Sequence, residues 1–333
     1  VRKILITGGY GFIGSNLVRM WQEEHPEDQI LNLDGITHAA DPSNLLDADG
    51  VRHARVDLCD AEKVGEVVRG FNPDGVLHLA AETHVDLSIV HPVDFFKTNL
   101  MGTVILMDAC RLLWNGGPQR FLHVSTDETF GGRGADEEPF AESSPYRPRH
   151  PYSASKAAAD HAVNSYHHTF GLNTVVTYSS SNFGPRQGRD KFIPRTIDCC
   201  IRGLPITVYG DGSDVRDWIF VEDHCWGIMQ AFELGVPGSS YCFGGSSERS
   251  NNEVALSICA IMDRVTKQNE EYSRIRLGGG FCQLINHVKH RLGQDRRYAV
   301  CWDKVNDEWG WHPEIPFDIA LEETILWYLD QSL

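Results

Sequence analysis

The chain has 333 residues, 41% hydrophobic and 23% charged, with a formal net charge of −16. That length buries a sizeable core and suggests two structural units. The acidic balance argues against a general nucleic-acid or membrane-surface role, since both want basic faces, and no run approaches the roughly eighteen apolar residues of a membrane span.

Nine cysteines, odd in number and without a C-x-x-C pair, leave no disulfide framework and no recognisable zinc ligand set. Buried thiols in a reducing cytoplasm are the expectation, and no metal is expected. The first residues run straight into a strand pattern, so no signal peptide is expected.

Ile4-Leu5-Ile6 reads as a short buried strand. It runs into Gly8, Gly11 and Gly14, spaced G-x-x-G-x-x-G, with Gly9 also allowing a G-x-G-x-x-G count. A helical pattern follows to about Glu24. A strand, a tight glycine turn and a helix N-terminus together suit a pyrophosphate, with Phe12 and Ile13 supplying backbone N–H groups. Asp34 ends the next apolar strand, twenty residues past Gly14. An acid there accepts hydrogen bonds from adenosine ribose hydroxyls and repels a 2′-phosphate, so NAD is the expected cofactor.

The βα alternation continues. A strand over 51–56 ends at Asp57-Leu58, placed to meet an adenine, and a helix follows over 61–69. Val76 to Leu79 is the next buried strand, leaving at Ala80, Ala81, Glu82, Thr83 and His84, where small residues let a cofactor backbone lie close. One long helix is expected from His91 to about Trp114, with Asn99 inside it as a structural or cofactor-shell residue. Phe121 to Ser125 is a strand that delivers Thr126, Asp127 and Glu128 to the sheet edge where ligands bind in open α/β sheets. A loop from Gly131 to Pro151 precedes a helix from Tyr152 to about Phe170, and 174–177 forms another strand. This is a doubly wound parallel sheet with helices on both faces.

After Ser181-Asn182-Phe183 the rhythm changes. Short strands at 206–208, 219–221 and 241–243 alternate with helices near 193–202, 222–234 and 251–265, and 303–309 and 317–330 close the chain. Residues 267–295 carry no clear period. The expected division is an NAD-binding unit over 1–182, joined by parts of 215–240, and a smaller α/β unit over 183–333 that binds substrate.

The chemistry follows from two groups of residues. Tyr152 and Lys156 lie one helical turn apart. A phenol is a poor base at its usual pKa of about 10, but a neighbouring ammonium and an oxidised nicotinamide favour phenolate, which could take a proton from a sugar hydroxyl. Asp127 and Glu128 discriminate further. A simple dehydrogenase needs no second acid/base pair, whereas elimination of water needs a base for the carbon acid and an acid for the departing hydroxide.

TGGYGFIGSN at 7–16, LAAETHVD at 79–86, TNLMGT at 98–103, HVSTDETFG at 123–131, PYSASKAAAD at 151–160, NFGP at 182–185 and YGDGSDVRDWIFVEDHC at 209–225 carry a resemblance that runs nearly end to end. The chain resembles the extended short-chain dehydrogenase/reductases, most closely the dTDP-glucose 4,6-dehydratases. The resemblance implies that Thr126 orients the carbon-4 hydroxyl, Asp127 protonates the leaving carbon-6 hydroxyl, and Glu128 removes the carbon-5 proton. Tyr152 is then the oxidation base and Lys156 its helper, which also holds the nicotinamide ribose. It further implies tightly held NAD regenerated within one turnover, and a cofactor shell of Gly8, Gly11, Phe12, Ile13, Gly14, Asp34, Asp57, Leu58, Leu79, Ala80, Ala81, Thr83, Asn99, Tyr152 and Lys156. His84, Ser181, Asn182, Arg216, Asn251 and Asp295 would meet a sugar-nucleotide substrate, with Arg216 on its pyrophosphate. A homodimer through helices near 92–113 and 152–170 is also implied.

Three residues depart from the family pattern. Ser181 takes the place of a usual asparagine, Leu87 of an arginine after H-V-D, and Gln294 of the histidine in G-H-D. These bear on substrate choice. A sugar-nucleotide 4-epimerase on the same fold needs Tyr152 and NAD but not the acid pair, and a cofactor-bound scaffold protein needs no intact catalytic set.

Overall fold

The computed structural model describes residues 1–290 and 295–332. Seven parallel strands form its main sheet: β1 (Lys3–Thr7), β2 (Gln29–Asp34), β3 (Arg52–Arg55), β4 (Gly75–His78), β5 (Arg120–Val124), β6 (Asn173–Ser179) and β10 (Ser240–Phe243). Their spatial order is β10-β6-β5-β4-β1-β2-β3. The order reverses beside β1, which pairs with both β2 and β4, and that is where an open sheet leaves a crevice for a ligand.

Strand alternation explains the two cores. Ile4 and Ile6 face one side of the sheet, with Leu17 and Trp21 of α1 (Phe12–Glu24) and Ile228 of α8 (Val221–Leu234). Leu5, between them, faces the other side. There it joins Val64 of α2 (Ala61–Phe71), Leu106 of α5 (Thr103–Trp114) and Val163 of α6 (Pro151–Phe170).

The single helix expected over 91–114 is in fact segmented. Helices α3 (Val85–Val90) and α4 (Pro92–Phe95) lead into a π-helical turn, Phe96–Gly102, before α5. Pro92 fixes the start of α4, and the wider i→i+5 turn lets the Asn99 side chain leave the helix and reach Glu82 and Ser155.

Smaller sheets lie beyond β6. β9 (Val215–Phe220) pairs with β7 (Ser181–Phe183), β11 (Glu248–Ser250) and β13 (Arg297–Tyr298), while β8 (Ile206–Tyr209) pairs with β12 (Ile285–Val288). Helices α7 (Phe192–Arg202), α9 (Asn251–Gln268), α10 (Asp303–Trp309) and α11 (Phe317–Asp330) complete this part. Tyr241–Phe243, read among the short strands of the smaller unit, is instead the edge strand of the main sheet, and α8 packs on α1. The aperiodic 267–295 stretch holds the end of α9, two 3-10 turns at Glu270–Ile275 and Phe281–Leu284, and β12. Gln294 lies outside the described residues.

Candidate active site

β5 ends where Ser125 N–H bonds Thr177 O at 2.7 Å, and Thr126 stays extended with φ −146°. The chain then turns sharply into a 3-10 turn over Asp127–Phe130, with the Thr126 hydroxyl accepting the Glu128 N–H at 3.4 Å. This reversal aims two adjacent carboxyls in different directions. Asp127 goes inward, 4% exposed, and its Oδ2 has no hydrogen-bond partner among the described residues. Glu128 faces His150, whose Nε2 lies 2.8 Å from its Oε2.

Those surroundings push the pair apart. Burial, then the negative field of Glu128, raises the Asp127 carboxyl well above the usual carboxylate range, against Arg216. Burial also acts to raise Glu128. The hydrogen bond and field of His150, with Lys191 and Arg216, outweigh it and hold Glu128 below its ordinary value. The surroundings push the two carboxyls in opposite directions, Asp127 toward its acid form and Glu128 toward its carboxylate.

Tyr152 enters from the first turn of α6 and is buried. Burial and then the Glu128 charge raise its pKa, so it rests as a phenol. Lys156 lies one turn on, but its ammonium bonds Val124 O at 2.8 Å and His123 Nε2 at 3.2 Å. Burial lowers the Lys156 ammonium, and the nearby Asp160 carboxylate opposes that effect. The expected direct support of a phenolate by Lys156 is thus not the resting arrangement.

The glycine turn fits a dinucleotide. A Cβ on Gly14 would sit 2.1 Å from Gly8 O, and one on Gly8, where φ is +74°, 2.8 Å from Ala80 Cα. No side chain caps the N-terminus of α1, which leaves the N–H groups about Phe12 and Ile13 facing the turn. The Asp34 carboxylate closes the crevice at the end of β2, accepting Tyr10 N–H at 3.1 Å and Ile36 N–H at 2.8 Å. Leu79 and Ala80 follow β4, and Ala80 N–H bonds the Thr7 hydroxyl at 3.1 Å. Past Ala81, Thr83 O accepts Lys191 Nζ at 3.2 Å.

Other expected residues are spent within the protein. Asn99 holds Glu82 N and O at 2.8 and 3.0 Å and Ser155 Oγ at 2.9 Å, behind the 80–83 segment. Leu58 is buried against Gly102, while Asp57 is exposed and accepts the Cys59 N–H. Asn182 turns onto Ser179 Oγ, Ser180 O and His224, and Ser181 beside it is half-buried. His84 caps α3 by accepting the Leu87 N–H at 3.3 Å. Asn251 opens α9 with its N–H on Asp214 O at 3.0 Å.

Arg216 approaches Asp127 and Glu128 from β9, bonded to Asp295 O at 3.0 Å and stacked 4.6 Å over Tyr298. The buried Asp295 carboxylate holds Arg149 at 2.7 Å and the Tyr298 hydroxyl. Arg149, His150, Lys191 and Tyr298 were not legible as site residues. Each arrives through a loop or a distant strand, and only His150, just before Pro151-Tyr152, adjoins a recognisable motif.

Comparison with known proteins gives a consistent result. The family model for GDP-mannose 4,6 dehydratase matches residues 5–324. The dTDP-glucose 4,6-dehydratase of Neisseria gonorrhoeae is 41% identical over 340 residues, covering 99% of this chain and 96% of that protein. That of Haemophilus influenzae is 39% identical, covering 99% and 98%. Among solved structures, the dTDP-glucose 4,6-dehydratase of Streptomyces venezuelae, with NAD bound, superposes with a TM-score of 0.87 at 34% identity, covering 98% and 97%. The UDP-glucose 4-epimerase of Thermus thermophilus, also with NAD, gives 0.86 at 27% identity, covering 99% and 100%.

Proposed function

The chain belongs to the GDP-mannose 4,6 dehydratase family, and on that premise we propose that it is an NAD-dependent sugar-nucleotide 4,6-dehydratase, a lyase, with dTDP-glucose as substrate. The observation that carries this reading is the division between Asp127, buried with one carboxyl oxygen unpartnered among the described residues, and Glu128, 2.8 Å from His150.

The site residues take these roles. Tyr152, whose phenolate form the positive charge of a bound oxidised nicotinamide would favour, would accept the proton of the carbon-4 hydroxyl, which Thr126 orients. Glu128 removes the carbon-5 proton, made acidic by the new ketone, and Asp127 gives its proton to the carbon-6 hydroxyl as water leaves. Arg216 binds the pyrophosphate through its forked donors. When bound, NAD would supply hydride acceptance from carbon 4 and hydride return to carbon 6, with Glu128 handing a proton back to carbon 5, to give a 4-keto-6-deoxy product. The Gly8–Gly14 turn, Asp34, the segment from Leu79 to Thr83 and Lys156 would hold it, in a unit over 1–182 joined by α8 and β10. The remainder of 183–333 binds substrate, with Ser181 and Leu87 setting its range.

The second reading, a 4-epimerase, is favoured by the likeness to the Thermus fold but gives Asp127 and Glu128 no work. The deciding test incubates purified protein in heavy water with dTDP-glucose and a panel of other sugar nucleotides. Mass spectrometry should find loss of one water and one solvent deuterium at carbon 5. Epimerised sugar with no water lost would sink the dehydratase.

A homodimer is also part of this proposal. Val93, Phe96, Met101, Leu112 and Phe170 are exposed apolar residues on the helices over 92–114 and 151–170. A cytoplasmic setting is supported by nine free thiols. Among the described residues, no helix is long and apolar enough to cross a membrane.

A further inference from the structure

We propose that His150 is a positioning residue for the elimination step, fixing the Glu128 carboxylate by one oxygen so that the other is presented to the carbon-5 proton. The inference rests on the dehydratase reading above, and its parts can be checked separately.

The argument starts at the N-terminus of α6. Pro151 occupies the first helical position and has no N–H, so the cap falls to residue 150. Histidine is not among the common caps. Here the backbone is extended, φ −142° and ψ 162°, and Nδ1 accepts the Ser153 N–H at 3.2 Å while Ser153 Oγ bonds back to His150 N at 3.3 Å. A backbone N–H can only donate, so Nδ1 is the unprotonated nitrogen and Nε2 carries the hydrogen. Nε2 lies 2.8 Å from Glu128 Oε2.

Two further contacts keep the ring in place. Its side chain is 5% exposed. It stacks parallel to Tyr152, with centroids 6.0 Å apart at an interplanar angle of 8°. The helix cap, the imidazole tautomer and the carboxylate orientation are therefore one unit, and its far end touches the oxidation base.

Other charged or titratable groups also face Glu128: Asp127 on the same turn, Tyr152 on α6, Lys191 ahead of α7, Arg216 on β9 and Tyr298 on β13. Lys191 and Arg216 act on it from further away, whereas His150 Nε2 is in direct contact with it at 2.8 Å. An N–H donor at that distance favours the ionised carboxylate over the acid. Without it, burial is opposed only by the two more distant cations, and the carboxyl titrates higher.

The test compares the full-length wild-type protein with His150→Phe and His150→Gln. Phenylalanine keeps a ring for the stack and loses the donor, while glutamine returns an N–H at similar reach. Both lose the Nδ1 cap, so a defect shared by both reports helix stability and one confined to phenylalanine reports the hold on Glu128. Infrared difference spectra of the resting protein, with Glu128→Gln marking the band, follow Glu128 ionisation against pH. Mass spectrometry follows water loss and carbon-5 deuterium uptake.

In His150→Phe the Glu128 titration should rise by about one pH unit, and kcat for water loss should fall about tenfold with KM within about twofold. His150→Gln should stay near wild type in both. An unmoved titration and unchanged kcat in His150→Phe overturn the proposal, as does an equal loss in the two variants. A wild-type protein that eliminates no water from any sugar nucleotide defeats the dehydratase reading instead, and the infrared titration still decides whether His150 governs Glu128.

Discussion

Asp127 and Glu128 are neighbours in sequence set in opposite surroundings, and the backbone turn between them is what makes that possible. Asp127→Asn keeps the size and removes the acid, so water loss should fall by about a hundredfold or more, while carbon-4 oxidation, read as the ketone trapped before elimination, persists. Glu128→Gln should abolish deuterium uptake at carbon 5, and an undiminished label would remove Glu128 as base. The pH profile has a definite sense. A base works above its pKa and an acid below, so with Glu128 held low and Asp127 pushed high the plateau of kcat/KM should be wide. The acidic limb should belong to Glu128 and vanish in Glu128→Gln. Thr126, Asp127, Glu128, Tyr152 and Lys156 were legible because they sit inside contiguous motifs at a strand end and a helix start. The hold of His150 on Glu128 was not, since it depends on a loop returning across the sheet. Nor was the turn of Lys156 toward Val124 O and His123, because spacing along a helix does not say which of several neighbours a long side chain selects.

Strong local rules made most elements readable. β1, its glycine turn and α1 follow from an apolar run, three glycines and a periodic helix, and the geometry explains why glycine is demanded. Gly14→Ala would place a methyl 2.1 Å from Gly8 O. Overpacking of that kind typically costs about 1–3 kcal/mol. The melting temperature should drop and the fraction of protein purified with NAD, measured by chromatography of the released nucleotide, should fall with it. A variant that melts and carries NAD like wild type would mean that the turn can shift at little cost. The elements that escaped reading are those defined by partners far away in sequence. β7, β11 and β13 are three, three and two residues long and exist because β9 lies between them. The π-helical turn at Phe96–Gly102 keeps an ordinary helical composition, and what marks it is the outward reach of Asn99 to Glu82 and Ser155.

At the scale of the molecule, the alternation of strand and helix was enough to give the doubly wound sheet, but not the order in which the chain completes it. The exposed row from Val93 to Leu112, with Phe170, is the surface on which the proposed dimer depends. Phe96→Glu should shift light-scattering mass from two chains toward one, and a wild-type protein that already measures as one chain would rule the dimer out. The completion of the sheet has another consequence. β10 joins β6 only after the chain has built β7, β8 and β9, and α8 covers α1 from the same late segment. A fragment ending at residue 182 would therefore present β6 as a bare, hydrogen-bonding border and leave Trp21 without the Phe232 ring packed against it at 5.3 Å. Such a fragment should precipitate or associate rather than fold, and the intact chain should lose its two halves together in one unfolding transition. On that reading neither half of the chain should be expressed alone as a folded unit.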